Sequence, residues 1–287
     1  MLDIAIIGSG PAGLSAAING VIRNKQVKIF GNDISTSYLY KAERVDNYLG
    51  MFGATGREMM ESFYGHAKEM NVEIENKKVL EIFPMGDFYM LNVENEFIEA
   101  KTVILANGIT KANTLPGEEV LLGRGVSYCA TCDGPLYREK TVALIGDSKH
   151  AEEDVNYLSE ICEKVYYIPL YKGFGTFGEN VAILADRPKS IAGENFVEKL
   201  VLKDSELEVS GVFIIKESIP TTQLLKGLEF EDKAIKVNNF METNMPGVYA
   251  AGDCTGRPYQ VAKAVGQGTT AALQAVSYLH AKEKEAK

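Results

Sequence analysis

Residues 2–18 constrain the fold more tightly than any other stretch. A short apolar strand, Leu2-Asp3-Ile4-Ala5-Ile6-Ile7, runs into Gly8-Ser9-Gly10-Pro11-Ala12-Gly13 and then into a small-residue helix, Leu14-Ser15-Ala16-Ala17-Ile18. In that position each glycine has a task. Gly8 permits the tight turn, Gly10 lets backbone approach a pyrophosphate, and Gly13 lets the helix pack closely on the strand. The helix start then presents unpaired N–H groups and a positive dipole end to phosphates. With Val27–Phe30 as the next strand, residues 2–30 form a βαβ unit that binds a dinucleotide. Asp33 lies where a ribose-binding carboxylate would fall, and reads equally well as a turn residue in Gly31-Asn32-Asp33.

A second βαβ pattern begins at Thr141-Val142-Ala143-Leu144-Ile145 and turns at Gly146-Asp147-Ser148. Its helix is expected from about Ala151 to Ile161 and its next strand at Val165–Ile168. Between the two patterns lie an expected helix over Glu58–Met70, a meander at Val79–Phe83 and Phe88–Val93, and a strand entering a turn at Thr102–Gly108. Further on come strands at Val197–Leu202 and Gly211–Ile215. Val248-Tyr249-Ala250-Ala251 then runs into Gly252-Asp253, and a last helix ends near His280. A chain of 287 residues accommodates roughly two domains. The expected fold is α/β, with two Rossmann-like, doubly wound, three-layer ββα nucleotide-binding domains, the second inserted into the first. Residues 1–112 with 244–287 form the outer domain and residues 113–243 the insert.

Net charge is −9, which argues against nucleic acid or an anionic membrane as a partner, since both call for basic surface. No run approaches 18 consecutive apolar residues, so no membrane span is expected. No charged leader with an apolar core precedes the first strand, and the expected location is the cytoplasm.

The four cysteines are Cys129, Cys132, Cys162 and Cys254. The three histidines, His66, His150 and His280, form no paired spacing with them, so no metal site is expected. Cys129-Ala130-Thr131-Cys132 can close a small disulfide ring, and redox work is the better reading of it than two inert thiols. Asp133, next in sequence, can supply or remove a proton during exchange. Cys162 and Cys254 read as packed, unreactive thiols.

Four stretches, in order along nearly the whole chain, resemble the low-molecular-weight thioredoxin reductases. They are Gly8–Gly13, Arg44-Val45-Asp46-Asn47-Tyr48-Leu49-Gly50, Gly123–Gly134 around the cysteine pair, and Val248–Asp253. The resemblance implies FAD in the outer domain, thioredoxin as the partner, and a homodimer. It implies that Asn47, Asp253 and Gln260 contact the flavin or its ribityl chain, with Gly108 and Gly252 in the same binding turns. Cys132 would face the flavin, Cys129 would attack thioredoxin, and Asp133 would be the acid. One departure is local: after Pro258-Tyr259 the usual Arg-Gln pair is reduced to Gln260.

The second βα turn departs further. NADPH-using relatives carry Gly-x-Gly-x-x-Ala there, where this chain has Gly146-Asp147-Ser148-Lys149-His150-Ala151. A side chain at the middle glycine obstructs close approach, and a carboxylate repels phosphate. The arginines that hold the 2′-phosphate in those relatives are replaced by Leu170, Tyr171 and Gly175, with Lys172 a poor substitute. The insert is therefore expected to keep its fold and lose its NAD(P)H site. This resembles the pyridine-nucleotide-independent thioredoxin reductases that take electrons from reduced ferredoxin. Alternatives are an NAD(P)H-dependent thioredoxin reductase with an atypical site, an oxygen-dependent dithiol oxidase, and a non-catalytic flavin-binding module.

Overall fold

A computed structural model describes residues 1–94, 96–109, 114–215 and 221–285. The chain divides into two compact units, residues 1–110 with 220–287, and residues 111–219. The crossing expected at 112 lies outside the described residues. The return expected at 243 comes earlier, at 219/220, because Leu224, Leu225, Leu228 and Ile235 bury their side chains in the core of the first unit.

The first unit opens with β1 (Leu2–Ile7), α1 (Pro11–Val21), β2 (Val27–Phe30) and α2 (Gly56–Glu69). It continues through β3 (Glu73–Glu75), β4 (Val79–Pro84), β5 (Tyr89–Val93) and β6 (Glu96–Leu105). The second unit begins with β7 (Val126–Ser127), α3 (Ala130–Asp133), β8 (Thr141–Gly146) and α4 (Ala151–Ile161). Then come β9 (Lys164–Pro169), β10 (Val181–Ile183), β11 (Pro188–Ala192), β12 (Lys199–Leu202), β13 (Glu206–Glu208) and β14 (Gly211–Ile215). The chain returns with α5 (Thr221–Leu224), β15 (Phe230–Glu231), β16 (Ala234–Ile235), β17 (Val248–Ala250) and α6 (Val261–Glu285). The last helix thus runs past His280, where it was expected to end.

In the first unit β1 pairs in parallel with β2 and with the second half of β6, which also carries β17 in parallel. The first half of β6 pairs antiparallel with β5, and β5 with β4. Alternate residues of the parallel strands serve opposite layers. Ile4, Ile6, Ile29, Ile104 and Tyr249 face α1, α2 and α6. Ala5, Ile7, Phe30, Val103, Leu105, Val248 and Ala250 pack with β4, β5 and α5. A sheet covered on both faces needs strands apolar on both faces, which is why β1 reads as a continuous apolar run. Helix α2 starts at Gly56, two residues earlier than expected, because Thr55 and Glu58 form a reciprocal cap. Helices α1 and α6 meet through small residues, and a Cβ on Gly268 would lie 2.1 Å from the Ala12 carbonyl oxygen.

The second unit repeats the plan with a parallel sheet in the order β10-β9-β8-β14-β7. Val142, Leu144, Val165, Tyr167 and Phe213 pack against α3 and α4. Ala143, Ile145, Ile168, Val212 and Ile214 pack against the antiparallel β11-β12-β13 layer. Both units are therefore three-layer ββα sandwiches, as the patterning of the strands requires. No described helix is long and apolar enough to cross a membrane.

Candidate active site

At the first βα turn the backbone itself forms the cradle. Gly8 adopts φ +117°, and a Cβ there would lie 2.3 Å from the Ala106 carbonyl oxygen, so no side chain fits. A Cβ on Gly13 would lie 1.9 Å from the Gly8 carbonyl oxygen, which is the close helix–strand contact expected of that position. Around Gly10 there is open space instead, with nothing within 4 Å of such a Cβ. Pro11 starts α1, where its missing N–H costs nothing. The Ser9 hydroxyl donates to the Asn32 carbonyl at 2.6 Å and ties the turn to the end of β2. No carboxylate stands in the first turn of α1. Asp33 caps the short helical turn 34–36 by accepting from the Ser35 N–H, which is the turn-residue reading of that position.

Other residues singled out in the sequence form contacts of their own, and Gly252 reaches the first helix. Gly252 follows β17, and a Cβ on it would lie 3.0 Å from Ala12 Cβ. Burial pushes the Asp253 carboxyl above its ordinary range, with Lys263 pulling the other way. Asn47 and Gln260, 213 residues apart, are joined by a 2.8 Å bond from Asn47 Nδ2 to Gln260 Oε1. Gly108 adopts φ +66° beyond β6, with open space where a Cβ would be.

Several residues here carry no sequence signal. Asn107 donates to the Thr221 hydroxyl at 2.8 Å, and its buried Oδ1 has no partner among the described residues. Lys263 donates to the Gly252 and Gly256 carbonyls, and Gln267 accepts from the Gly252 N–H at 2.9 Å. The Asn107 bond spans 114 residues, and the Lys263 and Gln267 bonds tie α6 back to the turn before it, so no short motif announces them.

In the second unit Cys129 and Cys132 are joined by a 2.02 Å disulfide. Both are half-buried, as is Asp133. Cys129 caps α3, its Sγ accepting from the Cys132 N–H at 3.2 Å. Cys162 and Cys254 are buried, and burial pushes their thiols up to about 11 and about 12 respectively.

The second βα turn is filled by the chain itself. Tyr167 lies against Gly146, 3.3 Å from where a Cβ would be, and its hydroxyl meets that of Tyr171 at 2.8 Å. Tyr171 donates to Glu152 Oε1 at 2.6 Å, and the Gly175 N–H reaches the same oxygen at 3.3 Å. Burial and this bond raise the Tyr171 phenol far above its ordinary value. Two of the positions where arginines would grip a phosphate thus serve a carboxylate from α4. Glu153 and Asp154 complete an acidic first turn, in contrast to α1.

The open side of Gly10, the carboxylate-free start of α1 and the unpartnered Asn107 Oδ1 together fit a dinucleotide cofactor in the first unit. The sequence matches the pyridine nucleotide-disulphide oxidoreductase family over residues 2–268. It is 32% identical to a thioredoxin reductase of Aquifex aeolicus, over 98% of this chain and 94% of that one. Two crystal structures titled as ferredoxin-flavin thioredoxin reductases from Clostridium acetobutylicum are similar throughout. One is 48% identical with a TM-score of 0.91, the other 50% identical with 0.87, each covering 98% of both chains. The thioredoxin reductases of this family are FAD-binding flavoproteins. By fold, cradle, disulfide and sequence, the chain belongs to the pyridine nucleotide-disulphide oxidoreductases, as a thioredoxin-reductase homologue that is a flavoprotein disulfide reductase.

Proposed function

We propose that this enzyme takes electrons from reduced ferredoxin and reduces thioredoxin. The carrying observation is a formed Cys129–Cys132 disulfide in a unit where Glu152, at the start of α4, takes the Tyr171 hydroxyl and the Gly175 N–H at two positions where arginines would bind a phosphate. A pyridine dinucleotide would bring its phosphates to a turn already bearing Asp147, Glu152, Glu153 and Asp154, and like charges at close range repel strongly. The 48% identity to a structure titled as a ferredoxin-flavin thioredoxin reductase supports the same donor.

In this reading Gly8, Ser9, Gly10, Pro11, Ala12 and Gly13 hold the FAD pyrophosphate, and Asn47, Gly108, Gly252, Asp253 and Gln260 its remaining polar groups. When bound, FAD collects single electrons from the donor and supplies the pair that opens the disulfide. Cys132 is the sulfur facing that pair. Cys129 thiolate attacks the thioredoxin disulfide, forming a mixed disulfide and releasing one thioredoxin thiolate, which Asp133 protonates. Cys132 thiolate then attacks Cys129 Sγ, which re-forms the internal disulfide and expels the second thioredoxin thiolate, and this takes a proton from water to give dithiol thioredoxin. The reading includes a homodimer in the cytoplasm, and sedimentation equilibrium checks the first.

The test is anaerobic reduction of the bound flavin, followed in its visible band, with NADPH, NADH and reduced ferredoxin side by side. Only ferredoxin is expected to bleach it, and thioredoxin dithiol is expected to follow. Rapid bleaching by NADPH would favour a nucleotide-dependent reductase, and peroxide formed from small dithiols an oxidase. Cys132→Ser is expected to keep FAD and lose thioredoxin reduction.

A further inference from the structure

Cys129 sits where Ser, Thr, Asp or Asn usually stands, at the cap of a turn, with its side chain accepting from a backbone N–H three residues on. A second donor lies beside it. Thr131 Oγ1 is 3.5 Å from Cys129 Sγ, on the exposed side of the turn. We propose that Thr131 is a catalytic residue of the dithiol, its hydroxyl and the Cys132 N–H forming a two-donor cradle that favours the Cys129 thiolate. This rests on the reading that Cys129 is the sulfur that exchanges with the partner.

The turn that aims both donors does not depend on the S–S bond. The Asp133 N–H bonds the Cys129 carbonyl at 3.2 Å, and the Gly134 N–H bonds the Ala130 carbonyl. Ser127, buried in β7, accepts from the Cys129 N–H at 3.1 Å. Ala130 is fully buried, and Gly134 packs on Tyr157 and Leu158 of α4. When an electron pair opens the disulfide, Cys129 therefore stays at the cap with both donors aimed at its sulfur. A thiolate accepts hydrogen bonds far better than a thiol, so donors that reach it lower the proton affinity of the sulfur. The thiolate attacks the partner's disulfide, one S–S bond forms as another breaks, and the partner's thiolate leaves. The branched Thr side chain has few rotamers, which keeps its hydroxyl on the sulfur.

The experiment uses the FAD-loaded protein, reduced anaerobically with dithiothreitol and freed of it. It measures the rate of iodoacetamide alkylation against pH, with the labelled residue located by mass spectrometry. In Thr131→Val the midpoint for Cys129 is expected to rise by about half a pH unit, slowing alkylation at pH 7 about threefold. Thr131→Ser is expected to restore the wild-type profile. The flavin band, unchanged across the set, confirms that each variant is folded. Label on Cys129 with coincident wild-type and Thr131→Val profiles overturns the proposal alone. Label chiefly on Cys132 in the wild type overturns both the proposal and the order of the two cysteines.

Discussion

At the scale of single residues, what could be read in advance was whatever is local in the chain. Gly13 against Gly8 and Cys129 with Cys132 act through neighbours a few positions away, so spacing conveys that geometry, whereas the Ala106 carbonyl that Gly8 abuts lies far along the chain. Asn107, Thr221, Lys263 and Gln267 act across more than a hundred residues or across a loop, and nothing near them marks the contact. The Gly13 contact is steep enough to test. Gly13→Ala places a methyl group 1.9 Å from the Gly8 carbonyl oxygen, and purified protein is expected to have lost most of its flavin absorbance. The four thiols also separate cleanly. With Cys162 and Cys254 pushed up to about 11 and about 12, native oxidised protein should take up no iodoacetamide at pH 8, and reduced protein label only at Cys129 and Cys132. Label on Cys254 before unfolding would contradict its burial.

Among elements, the helices and long strands were legible because their apolar spacing matches their geometry. The two-residue strands β15 and β16 are too short to show a period, and residues 221–243, expected in the insert, group with the first unit. Their leucines, Leu224, Leu225 and Leu228, are placed by the first unit's core rather than by any local signal. The Glu152–Tyr171–Tyr167 network was half visible. Loss of the arginines could be read from the sequence, but the carboxylate that replaced the phosphate stands 19 positions away on α4. Glu152→Ala leaves the Tyr171 hydroxyl and the Gly175 N–H without this acceptor. It should destabilise the second unit by about 0.5–1.5 kcal/mol in urea unfolding, without conferring NADPH-driven flavin reduction. In the first unit, Lys28 on β2 bonds Glu75 on β3 at 2.8 Å and holds its carboxyl below the ordinary 4.5. A carboxyl lowered in the folded state adds stability above its unfolded value and loses it as pH falls through the folded one. Glu75→Gln should therefore lower the melting temperature at pH 7 and converge on the wild type as the pH is taken below 4.

For the whole molecule, the cradle and the disulfide lie in units with separate cores. A ligand bound to one folded unit stabilises that unit by mass action, about 2.7 kcal/mol at a hundredfold excess over its dissociation constant. Stripping FAD should speed hydrogen exchange in β1, β6 and α6 while β8 and β14 keep their protection. Uniform loss across both units would contradict separate cores. The seam of α1 against α6 carries a further consequence for how the protein is made. Gly268 meets the Ala12 carbonyl, so the pocket's first wall waits for a helix made 256 residues after it. The insert, contiguous in sequence, can finish folding on the ribosome while its host is still half synthesised. Cofactor loading then waits on α6, and cells short of riboflavin would accumulate chains with a sound insert and a loose host.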